Sequence, residues 1–238
     1  MPNCNPWYTT AFNPRYPHLY SHRDNRETEL LYDTLRARNL LFHDGFSLDA
    51  ACGTGRWLRC LRTHNHRAVG FDLSSSQLSA THDLMTVRAD LLHFPFRNET
   101  FQQVVSLFSS FGYFSDESFD QQQLNETSRV LVPGGTFLLD TMPYRALNEI
   151  VATSHFTFPD GVTAEIKRER IGDKIRKTIL LSNGESWEEQ LRLYPTAHID
   201  EMAATCNLRL VDRFGSYAGD IFDENHANRV ISCYVQNR

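Results

Sequence analysis

The chain of 238 residues has no run of 18 apolar residues, so no segment of it reads as a membrane-spanning helix. Its first stretch, MPNCNPWYTTAFNPRYPHLYSHRDNR, lacks the basic start and apolar run of a secretory signal, and a cytoplasmic location without a membrane partner is expected. Positive charge is scarce: 24 Lys and Arg against 29 Asp and Glu leave a net charge of −5, without the electrostatic footprint of a nucleic-acid binder. The five cysteines (Cys4, Cys52, Cys60, Cys206, Cys233) are odd in number and never spaced C-x-x-C, which argues against a disulfide framework and a zinc knuckle. They are expected to be reduced and mostly buried. His64 and His66 in THNHR read as a polar loop, and no metal is expected. What is present is a hydrophobic share of 41%, with 16 Phe and 9 Tyr, in a length that suits one domain with an insertion.

Periodicity orders the elements. RETELLYDTLRARNLL (residues 26–41) predicts a helix with Leu30, Leu31, Leu35 and Leu41 near one face. FSLDAAC (46–52) predicts a first strand, WLRCLRTHN (57–65) a helix, and AVGFDLS (68–74) a second strand. Ser74, with Gln77 three residues on, has the form of a capping box. Further strands are predicted at 85–91, 101–109 and 135–142, with a helix at 116–131. Strands apolar on both faces, alternating with helices, predict a mostly parallel sheet covered on both sides. Between 154 and 195 the period changes to two, and Gly172-Asp173 marks a hairpin, so an antiparallel insertion is expected. A helix at 197–207 and strands at 208–217 and 228–236 complete a seven-stranded Rossmann-like α/β sheet. The expected organisation is residues 1–45 as lid and leading helix, 46–150 as cofactor-binding core, 151–195 as insertion and 196–238 as the end of the core sheet.

The stretch LDAACGTGRW (48–57) carries a glycine turn after the first strand, a geometry that several cofactor classes use. A P-loop requires Gly-Lys-Ser/Thr, whereas Arg56-Trp57 follow Gly55. The dinucleotide fingerprint requires a third glycine where Leu58 stands. LDAACGTGRW, VGFDLSSSQL, VRADLLHFPF, VVSLFSSFGYF and LNETSRVLVPGGTFLLD, in that order, resemble the class I S-adenosylmethionine-dependent methyltransferase family over roughly residues 46–142. Ala51 stands where that family most often has glycine. Amino-methylating DNA enzymes of the superfamily carry an Asp/Asn-Pro-Pro-aromatic motif after the fourth strand; this chain has SLFSSFGYF.

The resemblance implies S-adenosylmethionine as cofactor. Backbone at Ala51, Cys52, Gly53 and Gly55 would pass beside its methionine portion, Asp72 would accept from both ribose hydroxyls, and Asp90 would accept from the adenine amino group. Leu73 and Leu91 would lie near the ring, and Asp49 would orient the glycine loop. Tyr20, Arg23 and Phe108 are further cofactor candidates, Arg23 for the methionine carboxylate. Ligands of open parallel sheets sit outside the carboxyl strand ends, so Ser110, Tyr113, Tyr144, Arg192 and Tyr194 are candidate acceptor contacts. Tyr113, His198 and His226 are the candidate catalytic side chains. Aromatic residues 7–23 are expected to form a lid. The expected activity is in-line methyl transfer to a small molecule by a chain able to form a homodimer. The alternative is a catalytically silent S-adenosylmethionine-binding sensor or partner subunit.

Overall fold

The computed structural model describes residues 6–21, 25–42, 44–150 and 153–237. Two one-turn helices open it, α1 (Tyr8–Ala11) and α2 (Tyr16–Leu19), followed by α3 (Asn25–Ala37). The core then runs β1 (Phe46–Ala50), α4 (Arg56–Thr63), β2 (Arg67–Asp72), α5 (Ser75–Leu78), β3 (Thr86–Arg88), β4 (Phe101–Ser106), α6 (Glu117–Val130) and β5 (Leu131–Thr141). A 3₁₀ turn (Tyr144–Asn148) leads into β6 (Thr153–Thr157), β7 (Thr163–Ile171), β8 (Lys174–Leu181) and β9 (Ser186–Arg192). The chain ends with α7 (Thr196–Thr205), β10 (Leu208–Phe214) and β11 (Val230–Gln236).

The main sheet has the order β10-β11-β5-β4-β1-β2-β3. β1 to β5 pair in parallel, and β11 runs antiparallel to both neighbours, so six of the seven strands point one way. This is the seven-stranded, mostly parallel sheet expected from the alternation of elements. Its central strands are apolar on both faces because helices cover both: Leu48, Ala50 and Phe137 pack with Leu124, Ile199 and Met202 of α6 and α7. Val105, Leu138 and Ile231 pack with Leu31, Leu35, Trp57 and Leu61 of α3 and α4. The strand order places β1 and β4 side by side at the middle, where their carboxyl ends open a crevice.

The insertion is a separate four-stranded antiparallel sheet, β6-β7-β8-β9, whose central hairpin turns at Gly172-Asp173 with Ile171 opposite Lys174. One face carries Ile166, Ile179 and Trp187, and Ala11 and Leu19 of the N-terminal helices are buried against it. The insertion is therefore the platform on which residues 8–20 rest. An ion pair between Arg15 and Asp160, at 2.9 Å, adds to it.

Boundaries differ from expectation where the backbone turns left-handed or pairs early. Helix α3 stops at Ala37, because Asn39 adopts φ 56° and the Leu40 N–H bonds back to the Leu35 carbonyl at 2.9 Å. Strand β5 begins at Leu131, which pairs with Phe101 before an irregularity in the ladder at the Pro133-Gly134-Gly135 turn. Ser74 caps α5 through the Gln77 N–H at 3.2 Å, yet that helix lasts one turn. His64, at the end of α4, pairs with Glu29 at 3.0 Å and stacks flat on Tyr32, joining α4 to α3. The sulfur of Cys60 approaches the same two groups, all three ligand atoms lying within 4.8 Å of one another. Three donors on a helix seam fall one short of a closed zinc set.

Candidate active site

The crevice holds a cavity of about 280 Å³. Its floor is the turn after β1. Ala51 there has φ 62°, a left-handed conformation that explains why glycine is the commoner residue at this place. Gly55, at φ 79°, opens α4, and the Cys52 N–H bonds to the Phe71 carbonyl at 2.9 Å. Gly70 has no side chain because a Cβ would come within 2.8 Å of Cys52 Cβ and 2.6 Å of a Leu58 methyl. The turn thus sits directly against β2.

Asp72 ends β2. One of its oxygens accepts from the Gly53 N–H at 2.8 Å and the other from the Ser74 N–H at 2.8 Å. A carboxylate has about four lone-pair sites, so each oxygen keeps acceptor capacity toward the cavity it lines. Burial raises the Asp72 carboxyl above its ordinary range, opposed by the backbone N–H groups of Ser74, Gly53 and Leu73. Asp49 lies below the turn, buried, and also lines the cavity. Burial, together with the charge of Asp72, pushes it up to about 7, against the pull of Arg56. Its carboxyl makes no hydrogen bond within the described residues, so a buried acceptor faces the cavity without a donor.

Asp90 lines the far end, fixed by the Leu92 N–H on Oδ1 at 2.9 Å, with Phe71, Leu73, Ala89 and Leu91 beside it. Burial and the charge of Asp90 raise the Tyr8 phenol. The roof is N-terminal: Tyr8, Phe12, Tyr16, Pro17, Tyr20 and Ser21 all face the cavity. Ser74 Oγ donates to the Phe12 carbonyl at 2.8 Å, and the Tyr20 hydroxyl donates to Glu189 while accepting from Lys177 at 2.6 Å. The remaining wall follows β4, with Leu107, Phe108, Ser110, Tyr113 and Phe114. Trp7 donates to the Tyr113 carbonyl at 3.1 Å and packs edge-on against the Tyr113 ring.

Of the residues singled out in the sequence, Tyr20, Asp49, Ala51, Cys52, Gly53, Asp72, Leu73, Asp90, Leu91, Phe108, Ser110 and Tyr113 line this one cavity. Gly55 stands just behind it. Burial and the neighbouring carboxylates raise the Cys52 thiol far above its usual range, so it lines the turn as a neutral side chain. Arg192 and Tyr194 are elsewhere: the Tyr194 hydroxyl donates to Asp120 at 2.7 Å, and Arg192 pairs with Asp173 at 2.9 Å and Asp120 at 3.6 Å. His198 pairs with Glu117 and stacks on Tyr194, while His226 is exposed and pairs with Asp223 at 2.6 Å. Tyr144 sits in the 3₁₀ turn, outside the cavity lining. Arg23 falls outside the described residues.

Sequence reasoning passed over Arg56, which is the cation among the described lining residues. Its guanidinium lies over the Phe108 ring at 3.9 Å, bridging the glycine turn and the wall after β4. The signal was its place directly after Gly55, where it served only to reject a P-loop.

These residues fit an adenosyl amino acid without phosphate: acceptors at Asp72 for a diol and at Asp90 for an amino group, an undonated carboxyl at Asp49 for an ammonium, and Arg56 for a carboxylate. Residues 48–135 match the family described as Methyltransferase domain. YqeM of Bacillus subtilis, whose name marks it as a candidate methyltransferase, is 24% identical over 70% of this chain and 74% of its own. An S-adenosylmethionine-dependent methyltransferase of Clostridium acetobutylicum shares the fold at TM-score 0.77, with 18% identity over 94% of this chain and 96% of that one. The sugar N-methyltransferase KedS8 of a Streptoalloteichus species does so at 0.72, with 21% identity over 94% and 93%. Residues 48–135 match a methyltransferase domain, and the whole chain has the fold of the S-adenosylmethionine-dependent methyltransferases it resembles.

Proposed function

We propose that the acceptor is a small molecule, methylated by in-line displacement beneath the N-terminal roof. The observation that carries this reading is the roof itself: six residues between Tyr8 and Ser21 face a cavity of about 280 Å³, which has no room for a folded polymer. S-adenosylmethionine supplies an electrophilic methyl group on a sulfonium. Asp72 would hold its ribose and Asp90 its adenine, Asp49 and Arg56 would take its amino and carboxylate groups, and Phe108, Ser110 and Tyr113 would face the acceptor. The aromatic roof excludes water, so alignment and desolvation carry the rate. The titratable side chains among the described lining residues are carboxylates, phenols, Cys52 and Arg56, so a small acceptor that needs a base would find it in an Asp or a Tyr. That KedS8 is a sugar N-methyltransferase supports the same class, and the net charge of −5 is unsuited to a polyanionic acceptor. The test is incubation with methyl-labelled S-adenosylmethionine and a metabolite extract, fractionated by size. Label in small molecules is the expected result; label confined to RNA or protein overturns the reading.

A further inference from the structure

The segment from Phe108 to Gly112 forms the cavity wall in a conformation it does not favour. Phe108 and Ser109 are consecutive non-glycine residues at φ 59° and 67°, and Gly112 follows at 95°. Left-handed backbone at a residue with a Cβ persists only where the surroundings enforce it. Two clusters of the same composition stand at the two ends of this segment.

At the first end, the fully buried Asp140 of β5 accepts from the Phe108 N–H at 2.8 Å, and its carbonyl accepts from the Ser109 N–H at 3.2 Å. Arg229 donates to Asp140 Oδ1 through two nitrogens, at 2.8 and 2.5 Å, and reaches Ser109 Oγ at 3.0 Å. The Tyr217 hydroxyl donates to Asp140 Oδ2 at 2.9 Å, and its ring meets Phe108 edge-on. At the second end, the fully buried Asp120 of α6 accepts from the Gly112 N–H at 3.1 Å and from the Tyr194 hydroxyl at 2.7 Å. Arg192 lies 3.6 Å from Asp120, and its N–H bonds to the Gly112 carbonyl at 2.8 Å. A side chain at 112 would come within 2.3 Å of the Arg192 carbonyl.

We propose that these two Asp–Arg–Tyr clusters, Asp140–Arg229–Tyr217 and Asp120–Arg192–Tyr194, are a pair of clamps that hold segment 108–112 strained so that Phe108 and Ser110 meet the ligands. Their six members are positioning residues, acting through the wall. The inference rests on the reading of the cavity as the cofactor and acceptor site. It gives Arg192 and Tyr194 a part in the site without contact to its contents.

The molecule contains its own control. Asp200, Arg213 and Tyr234 form a third such cluster, with Arg213 donating to Asp200 at 2.6 Å and the Tyr234 hydroxyl at 2.8 Å, and none of the three lines the cavity. Removing one hydroxyl from each cluster in the full chain, as Tyr217→Phe, Tyr194→Phe and Tyr234→Phe, breaks the same bond in three places. Calorimetric titration with S-adenosylhomocysteine reads cofactor affinity, and thermal melting reads stability. The clamps predict that Tyr217→Phe and Tyr194→Phe each weaken binding about tenfold. Tyr234→Phe is expected to lower the melting temperature comparably while affinity stays within about twofold of the parent. Should Tyr217→Phe fail to fold, Arg229→Lys, which keeps the charge but loses the two-nitrogen grip on Asp140 and the bond to Ser109, replaces it. Unchanged affinity in both clamp variants, or an equal loss in Tyr234→Phe, overturns the inference. A parent chain that binds no S-adenosylhomocysteine overturns instead the reading of the cavity.

Discussion

Two kinds of buried or half-buried carboxylate stand at the same edge of the sheet. Asp140 and Asp120 are enclosed by arginine and tyrosine donors. Asp49 and Asp72 line the cavity without an arginine hydrogen bond: Asp72 has two backbone N–H groups and Asp49 has no donor among the described residues. The first pair has its charge consumed by the fold. The second keeps acceptor capacity for something that arrives; burial lifts the carboxyls of Asp49 and Asp72, as it also lifts the enclosed Asp120 to about 6, so hydrogen-bond saturation and not titration separates the two kinds. A saturated carboxylate here marks scaffold and an unsaturated one marks site.

The sharpest way to break the comparison is Asp72→Ala. Losing two charge-assisted bonds to the ribose, at about 1.5 to 3 kcal/mol each and partly replaced by water, weakens S-adenosylmethionine binding by roughly 10- to 1000-fold. Calorimetry checks it, and unchanged affinity would put Asp72 with the scaffold carboxylates.

Next comes Asp49→Asn, whose sign follows from the raised carboxyl. An Asp at about 7 in the fold and 3.8 when unfolded binds more protons folded, so its contribution to stability is lost as pH rises through that window. Asn mimics the protonated form. The variant should exceed the parent in stability above pH 7, by up to a few kcal/mol at about 1.4 per pH unit, and the gap should close toward pH 4. Its cofactor affinity should fall. Melting curves across pH read the first effect, and a gap that widens toward acid would mean that Asp49 is paired.

Ala51→Gly relieves a left-handed residue and should stabilise by about 1 kcal/mol with affinity intact. A lower melting temperature would show that the Ala51 methyl packs usefully. Smallest of all is His226→Asn, at an exposed side chain remote from the cavity lining: turnover on any acceptor found should stay within about twofold. A large loss would return a histidine to the chemistry.

What was legible in the sequence was local along the chain. LDAACGTG, the Asp ending β2 and the Asp after β3 each occupy a strand end, and parallel strands carry those ends to one edge. Ser110 and Tyr113 follow from the same rule at β4. The rule fixes where a backbone ends and leaves open which way a side chain turns: Arg192 and Tyr194 do reach this edge, yet Asp120, on a helix 72 to 74 residues earlier, draws them behind the wall. Tyr217 and Arg229 belong to the loop between β10 and β11, with no cofactor motif, so only tertiary contact reveals their part. The helical turns of residues 8–20 were hidden for a related reason, since short aromatic stretches carry no period and take their order from the insertion beneath them.

That platform bears on time as much as on shape. Residues 8–21 roof the cavity, and exchange from that side is expected to need them to lift. Lifting separates Ala11 and Leu19 from Ile166, Ile179 and Trp187. How long a ligand dwells is therefore written partly in apolar side chains that never touch it, and a methyl group more or less at position 11 or 19 adjusts the pace of exchange while the chemistry beneath stays the same.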